Sequence, residues 1–251
     1  MQLSEIILKL ESLVDTEASK GMARFGINPD NTYGISIRNL RKAAKETGMD
    51  YALAGQLWAT GIHEARILAS MIDGQILVTE EQMERWVMDF DSWDVCDQCW
   101  MNLFDKTHFA YQKAADWSER EEEFIKRAGF TLMAVMAFHD IIAQDERFLK
   151  FLAMIKWEST DQRNFVKKAV NWALRQIGKR NLNLNRMAIK TAEDIKEINS
   201  KSARWIAFDT IRELTGEGIQ KRLTKIRQHQ NTKLIRGYQW ELSLAYRTSW
   251  E

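Results

Sequence analysis

Proline, glycine and long apolar runs are scarce in this sequence. Its 251 residues include one proline, Pro29, and 12 glycines. All-β domains use both residue types in their many turns, so this composition argues against an all-β fold and favours a mostly helical chain. No apolar run approaches the ~20 residues that a membrane-spanning helix needs. We therefore expect no membrane partner.

Cysteine is equally scarce. Cys96 and Cys99 are spaced like half of a zinc site, but none of the four histidines completes a second ligand pair at a suitable spacing. The sequence therefore predicts no metal. Both cysteines lie in an apolar helical pattern and are interpreted as buried thiols of a reducing compartment. No phosphate-binding loop, dinucleotide fingerprint or Ser-His-Asp arrangement is found, and we expect no cofactor.

The residues that are present predict an ordered domain. Hydrophobic residues make up 45% of the chain, including ten tryptophans, and charged residues make up 28%, which is enough to keep a chain with such a core in solution. Residues 1–14 place charges among apolar residues at helical spacing, which is typical of an amphipathic helix and not of a secretory signal. We expect a cytoplasmic, monomeric protein.

Charge is distributed unevenly along the chain. Residues 1–125 hold 12 basic and 22 acidic side chains, a balance of −10, whereas residues 126–251 hold 24 and 13, a balance of +11. Residues 167–227 alone carry 15 basic and 6 acidic side chains. Such a concentration attracts a polyanion such as nucleic acid, although a solvated helix surface has the same composition.

Similar helical segments recur along the chain, each centred on a small residue. The intervals between the centres are 31, 32, 41 and 34 residues, which is typical of stacked helical hairpins. The centres are Ala65, Cys96, Ala128, Ala169 and Ala203. No linker interrupts the series, so we predict an all-α solenoid that forms a single domain over residues 1–251. Residues 229–251 form an aromatic C-terminal tail whose packing the sequence does not predict.

The segment 91–104 combines a carboxylate with aromatic residues. Trp93, Asp97, Trp100 and Phe104 follow an i, i+4, i+7, i+11 pattern, which places them on one face of a helix. Aromatic surroundings raise the pKa of a carboxylate unless a cation compensates. Asp97 is therefore a candidate catalytic residue, and the alternative is a solvated or ion-paired structural aspartate.

A second segment, 164–181, places a tryptophan among cations. Lys168, Trp172, Arg175 and Lys179 follow the same i, i+4, i+7, i+11 pattern, opposite an apolar face that includes Phe165. An indole between lysine and arginine suits contact with a sugar or base beside phosphates. The alternative is a tryptophan that packs on the next repeat.

Two other arginines have two interpretations each. Arg127 could pair with Glu123 one turn earlier, or it could face the same groove as Asp97, hold a phosphate and keep the carboxylate ionised. Arg38 begins a basic helix after a turn-rich entry at residues 28–36. A basic helix start could meet a phosphate, and a plain surface helix has the same pattern.

The repeats and motifs together resemble a known family. The Trp-Asp-x-x-Asp motif at 93–97, the arginine at 127 and the Trp-Ala-Leu-Arg-x-x-Gly-Lys motif at 172–179 are similar to those of the DNA alkylation repair family, AlkD-type HEAT-like-repeat DNA glycosylases. The similarity covers about residues 15 to 220. It implies a right-handed HEAT-like solenoid with a concave basic groove, and excision of cationic N3- or N7-alkylated purines from double-stranded DNA. It also implies chemistry without metal, cofactor or base flipping into a pocket.

The resemblance also assigns residues. It implies that Asp97 stabilises the sugar cation, that Trp93 and Trp172 pack on the deoxyribose, and that Arg127 contacts a backbone phosphate. The expected DNA-binding residues are Arg38, Lys168, Arg175, Lys179, Arg180 and Arg204. Some relatives keep the scaffold and bind DNA without glycosylase activity. A silent DNA-structure binder and a HEAT-like adaptor for a protein partner are therefore the two alternative functions.

Overall fold

The computed structural model describes residues 1–226 and 228. Those residues form α-helices joined by short turns, with two single 3-10 turns and no β-strand. The predicted all-α fold is therefore confirmed. The aromatic tail at 229–251 lies outside the described residues. No helix in the described part of the chain has the length and the apolar character that crossing a bilayer requires.

Thirteen α-helices have complete bounds in this part of the chain, and residues 217–226 continue as a further helical segment after a turn. The helices are α1 (Leu3–Glu11), α2 (Thr16–Met22), α3 (Ile37–Thr47), α4 (Tyr51–Ala59), α5 (His63–Ile72), α6 (Glu80–Met88), α7 (Trp93–Asn102), α8 (Ala110–Ser118), α9 (Glu123–His139), α10 (Asp145–Glu158), α11 (Asn164–Gly178), α12 (Leu182–Lys196) and α13 (Lys201–Leu214).

Short polar side chains begin many of these helices. In each case a side-chain oxygen accepts a hydrogen bond from a backbone amide in the first turn, which would otherwise lack a partner. The capping residues are Asp15, Ser36, Asp50, Thr79, Asn181 and Ser200. The sequence thus fixes the helix starts locally, and the turns between helices stay short.

The helices form two layers. Helices α3, α5, α7, α9, α11 and α13 contact one another in succession and make up what we call the front layer. Helices α4, α8, α10 and α12 form back-layer partners of α5, α9, α11 and α13, and α10 also contacts α8 and α12. Each hairpin therefore buries its apolar face against its partner and against the next hairpin, as a solenoid requires.

The predicted repeat centres all lie on the front layer. Ala65, Cys96, Ala128, Ala169 and Ala203 belong to α5, α7, α9, α11 and α13, and all five are buried. A small side chain at each centre lets successive front helices approach closely. The prediction of a regular helical-hairpin repeat is confirmed by this placement.

A front helix and its back-layer partner approach each other closely at Gly129. A Cβ atom at this position of α9 would lie 2.5 Å from the backbone nitrogen of Ser118 and 2.9 Å from the carbonyl oxygen of Ala114, both on α8. Backbone atoms cannot give way as a flexible side chain can. Only glycine therefore fits where these two helices meet.

We expect Gly129→Ala to lower the free energy of unfolding by about 1–3 kcal/mol, because the added methyl group overpacks the α8–α9 contact. Gly55 is a matched control, since it lies inside α4 with no heavy atom within 4 Å of an added Cβ. Alanine at Gly55 should stabilise the protein by about 0.5–1 kcal/mol through helix propensity. Urea unfolding of both variants measures the two effects, and equal shifts would contradict this packing.

Candidate active site

A cleft opens on the middle of the front layer, between α7, α9 and α11. Its volume is about 340 Å³. Aromatic rings, one carboxylate and two cations line it: Phe25, Trp93, Asp97, Arg127, Phe165, Lys168 and Trp172. The structure therefore brings together in one cleft the four residues that the sequence analysis selected as catalytic.

The centre of the cleft is an ion pair between Asp97 and Arg127. The Nη2 atom of Arg127 donates to both carboxylate oxygens of Asp97, at 2.8 and 2.9 Å, and its Nη1 atom donates to the carbonyl oxygen of Phe165 at 2.9 Å. The Asp97 side chain remains 13% exposed, against 6% for Arg127. The carboxylate can thus be reached from the cleft, whereas the arginine is almost fully enclosed.

Burial raises the pKa of the Asp97 carboxyl above its ordinary value, and the charge and hydrogen bonds of Arg127 offset part of this rise. Thr131, one turn along α9 from Arg127, also reaches an Asp97 oxygen, at 3.5 Å. The cation that the sequence analysis required near Asp97 is therefore Arg127. Of the two interpretations of Arg127, the structure has the one in which it faces the groove of Asp97, and the alternative pairing with Glu123 is not formed because α9 turns Arg127 towards α7.

The resemblance assigned a phosphate contact to Arg127. In the structure both of its terminal nitrogens are engaged within the protein. The side chain is also only 6% exposed, so the phosphate contact stays a prediction.

Trp93 is positioned by a turn from the N-terminal part of the chain. Its Nε1 atom donates to the carbonyl oxygen of Phe25 at 3.0 Å, and the guanidinium of Arg127 lies 6.0 Å from the indole centroid. The turn itself is tied to the start of α7, because the amide of Asn28 donates to Ser92 Oγ at 2.9 Å and its side chain donates to Asp91 at 2.8 Å. The half-buried indole therefore forms one wall of the cleft.

Gly26 allows this turn to approach the cleft. Its φ angle is 74°, in the left-handed region, and an added Cβ would lie 2.4 Å from the ring of Phe165. Phe165 was predicted on the apolar face of α11, but it lines the cleft from a half-buried position. Phe25 was not predicted to line the cleft. The one local signal in the sequence is the glycine that follows it, which allows a tight turn.

Trp172 and Lys168 form the opposite wall. Trp172 is half-buried, with its ring 6.4 Å from that of Phe138 on α9, and Lys168 is exposed one turn earlier on α11. No ion pair of Lys168 occurs within the described residues. Its ammonium is therefore available to a ligand in the cleft.

The other cations predicted to bind DNA differ in availability. Arg175 pairs with Asp209 and Glu213 of α13 at 3.1 and 2.7 Å, and Lys179 pairs with Glu213. Arg180 donates to two backbone carbonyls and packs over a phenyl ring. Arg204 and Arg38 are exposed, on α13 and α3. Arg175 and Lys179 are thus paired with the next front helix. Lys168 is the one cation of the pattern around Trp172 without an ion pair among the described residues.

The aromatic face predicted for α7 divides in two. Trp93 lines the cleft, whereas Trp100 is fully buried and packs against Phe104 and Trp117 at centroid distances of 5.1 and 5.2 Å. Helix α7 ends at Asn102, so Phe104 lies on the following 3-10 turn and not on α7. The expectation that all four residues share one helical face was wrong for Phe104, because the helix ends before it.

The two cysteines are buried in the core of α7. Burial raises the pKa of the Cys96 thiol to about 12, and that of Cys99 rises well above its ordinary value for the same reason. Both thiols therefore stay protonated and unreactive at neutral pH. Within residues 1–226 and 228, no group of three or more histidine, cysteine or acidic side chains is arranged to hold a metal ion.

The chemistry available in the cleft is electrostatic. The Asp97 carboxylate lies among π-faces, and when it is ionised both stabilise a positive charge that forms in front of them. The described residues of the cleft include no histidine, second carboxylate or reactive thiol, and Lys168 is the other charged group open to a ligand. The site can thus stabilise a cation.

The fold is that of a HEAT-like-repeat protein. A solved structure matches it with a TM-score of 0.72 and 19% sequence identity, covering 86% of this chain and 97% of that chain. That protein is described as belonging to a new family of proteins related to the HEAT-like repeat DNA glycosylases with affinity for branched DNA structures. At this identity the likeness shows the fold alone.

The family is shown by the sequence match. A model of the DNA alkylation repair enzyme family matches residues 6–211, which is most of the chain, so the chain belongs to this family. No curated protein matches it significantly. The resemblance described above is therefore confirmed at the level of the family.

Proposed function

We propose that the protein is a DNA glycosylase that removes cationic N3- or N7-alkylated purines from duplex DNA. The observation that carries the proposal is that Asp97 lies in one cleft with Trp93 and Trp172, paired to a buried arginine. Membership of the DNA alkylation repair enzyme family supports the same reaction. We further propose that the protein acts as a cytoplasmic monomer.

The substrate explains why one carboxylate suffices. Alkylation at N3 or N7 places a positive charge on the purine, so the base leaves as a neutral molecule when the N-glycosidic electron pair moves onto it. No general acid is required. Positive charge develops on the deoxyribose instead, as in glycoside hydrolysis, and the Asp97 carboxylate stabilises it. A water then adds to C1′ and loses a proton, which leaves an abasic site.

The aromatic walls add to this stabilisation. The indoles of Trp93 and Trp172 pack on the deoxyribose and attract its growing charge by about 1–2 kcal/mol each in a desolvated cleft. Arg127 holds the carboxylate in place and favours its ionised form. Lys168 contacts a backbone phosphate beside the cleft, and Arg38 and Arg204 contact phosphates farther along the front layer.

A second function is favoured by one observation. Arg127 already occupies both oxygens of Asp97, as in a structural ion pair. The solved structure of the same fold belongs to a protein family described as having affinity for branched DNA structures. A protein that binds DNA structure without excising a base is therefore the competing proposal.

An abasic-site assay separates the two functions. Duplex DNA that contains 7-methylguanine is incubated with excess protein and then cleaved at abasic sites by alkali. A glycosylase yields strand breaks at the methylated position, whereas a structure-binding protein shifts the DNA in a gel and yields no breaks. Binding to a four-way junction and to the matching linear duplex, compared in the same buffer, measures the preference for branched DNA.

The raised pKa of Asp97 predicts the pH dependence of excision. The ionised carboxylate is the active form, so the rate should fall as pH falls through this pKa, and the fall should begin at a higher pH than for an ordinary aspartate. Single-turnover rates between pH 4 and 8, corrected for spontaneous depurination, give the profile. A rate that stayed constant across this range would show that ionisation of Asp97 does not limit the reaction.

The unpaired Lys168 predicts the salt dependence of binding. Removing one phosphate contact reduces the slope of log K against log salt concentration by about 1. We expect this reduction for Lys168→Ala and a smaller one for Arg175→Ala, because Arg175 is held by Asp209 and Glu213. Fluorescence anisotropy on a labelled duplex at several salt concentrations measures both slopes, and the opposite order would place the DNA elsewhere on the protein.

A further inference from the structure

The loop between α9 and α10 exposes two large apolar side chains. Ile141 is 82% exposed and Ile142 is 89% exposed. Phe138, at the end of α9, is also partly exposed. Exposure of adjacent isoleucines costs hydrophobic free energy unless a ligand covers them.

The loop is fixed in this position by polar contacts. Arg180 donates to the carbonyl oxygens of Ala137 and Ala143, at 3.0 and 2.8 Å, and so ties the two ends of the loop together. Tyr111 donates to Asp140 at 2.9 Å, at the start of the loop. The isoleucines are therefore presented on a braced loop.

His139, the last residue of α9, adds a contact just before the loop. Its Nδ1 lies 2.6 Å from a carboxylate oxygen of Asp105. The guanidinium of Arg180 also lies 4.3 Å from the ring centroid of Phe148. Arg180 is a predicted DNA-binding residue, and in the structure its contacts hold this loop.

The surroundings of the loop adjoin the candidate active site. A recess of about 540 Å³ is lined by Phe138 and Ile141 together with Asp145, Lys179, Arg180 and Arg222. Lys179 is paired with Glu213 and Arg180 holds the loop, so Arg222 is the cation of this recess without an ion pair among the described residues. Phe138 also contacts Trp172 of the cleft, with ring centroids 6.4 Å apart. The exposed apolar loop and the cleft thus belong to one continuous surface, on which cations flank apolar side chains.

This combination fits duplex DNA better than an apolar protein partner. Proteins that deform a duplex combine cations for the phosphates with apolar side chains that press between base steps. We propose that Ile141 and Ile142 form a wedge that unstacks a base step next to the nucleotide held in the cleft. The inference rests on the proposed binding of DNA, but not on excision of a base.

Fluorescence of 2-aminopurine tests the wedge. This adenine analogue brightens when it is unstacked, and it is placed at successive positions of an unmodified duplex. Wild-type protein should raise the fluorescence severalfold at one or two adjacent positions. The double variant Ile141→Ser, Ile142→Ser should abolish the rise and weaken binding about tenfold or more, with the salt dependence unchanged, because no phosphate contact is lost.

Trp157 provides a matched control. It is 82% exposed on α10 and lines neither the cleft nor the basic recess. Trp157→Ser should leave both the fluorescence rise and the affinity unchanged. Equal DNA binding and equal fluorescence for the isoleucine double variant and wild type would overturn the wedge. A double variant that keeps full DNA affinity and loses binding to another protein would also overturn it.

The outcome for the wedge is distinct from that for the glycosylase. Unstacking of unmodified DNA, together with no abasic product from the 7-methylguanine duplex, would support the wedge and contradict excision. Abasic product with no position-specific fluorescence change would support excision and overturn the wedge. A wild-type protein that binds no DNA at low salt would overturn both.

Discussion

Asp97→Asn is expected to slow release of 7-methylguanine about 10²- to 10³-fold, the size of effect seen when one preorganised electrostatic group is removed from an active site. The asparagine keeps the shape of the carboxylate but carries no charge to stabilise the deoxyribose cation. DNA affinity should stay unchanged, because Asp97 contacts no phosphate in this account. Single-turnover release of the base and gel-shift affinity, measured on the same duplex, test the two expectations.

Asp194 supplies the matched control for this variant. It is an exposed carboxylate that pairs with Lys156 on the back layer, and it does not line the cleft. Asp194→Asn removes the same charge from the protein and should release the base at the wild-type rate. An Asp97→Asn protein as active as the Asp194→Asn protein would remove Asp97 from the mechanism.

Arg127→Met should destabilise the protein by about 3–5 kcal/mol, because it leaves the carboxylate of Asp97 buried without a counterion. Asp97 then favours its protonated form, so excision should also become slower at neutral pH. Urea unfolding monitored by tryptophan fluorescence measures the stability. The exposed pair gives the comparison, since Lys156→Met should cost less than about 1 kcal/mol.

A double variant shows whether this cost comes from the unpaired charge. Asp97→Asn combined with Arg127→Met leaves neither charge buried, and it should be less destabilised than the sum of the two single variants. A loss equal to the sum would mean that the two side chains are energetically independent. The short contacts between Arg127 and both Asp97 oxygens would then contribute little to the fold.

Residues that repeat along the chain were predictable from the sequence. Helical spacing predicted the front helices and their small buried centres, and it selected Asp97, Trp93 and Trp172 before their shared cleft was known. These features depend on side chains close together on one helix, where a 3.6-residue period is informative. The family resemblance then added Arg127, whose local context alone favoured a different partner.

Contacts between repeats could not be predicted in the same way. Arg127 pairs with a residue 30 positions earlier, and Arg175 pairs with Asp209, 34 positions later. Such pairs depend on how far each helix is rotated and shifted against its neighbour, which a single sequence does not reveal. The same reason explains why Phe25 was missed and why Arg180 was expected to face DNA.

The front layer therefore combines two kinds of surface. The cleft itself is largely aromatic with one buried ion pair, and Lys168, which has no ion pair among the described residues, lines one wall of it. A net charge near zero is compatible with DNA binding because the charges are separated along the chain. The acidic excess belongs to residues 1–125 and the basic excess to residues 126–251. In the proposed function, the affinity for DNA depends more on local charge and on the loop with Ile141 and Ile142 than on the net charge of the chain.

Selectivity for charged lesions is the decisive test of excision by one carboxylate. Two duplexes of the same sequence, one with cationic 7-methylguanine and one with neutral O6-methylguanine, are incubated with excess wild-type protein, and the released bases are quantified by mass spectrometry. A site that stabilises the sugar cation with one carboxylate and does not protonate the leaving base should release 7-methylguanine well above the protein-free rate and leave O6-methylguanine in place. Equal release of both bases, or release of neither by protein that binds both duplexes, would contradict it.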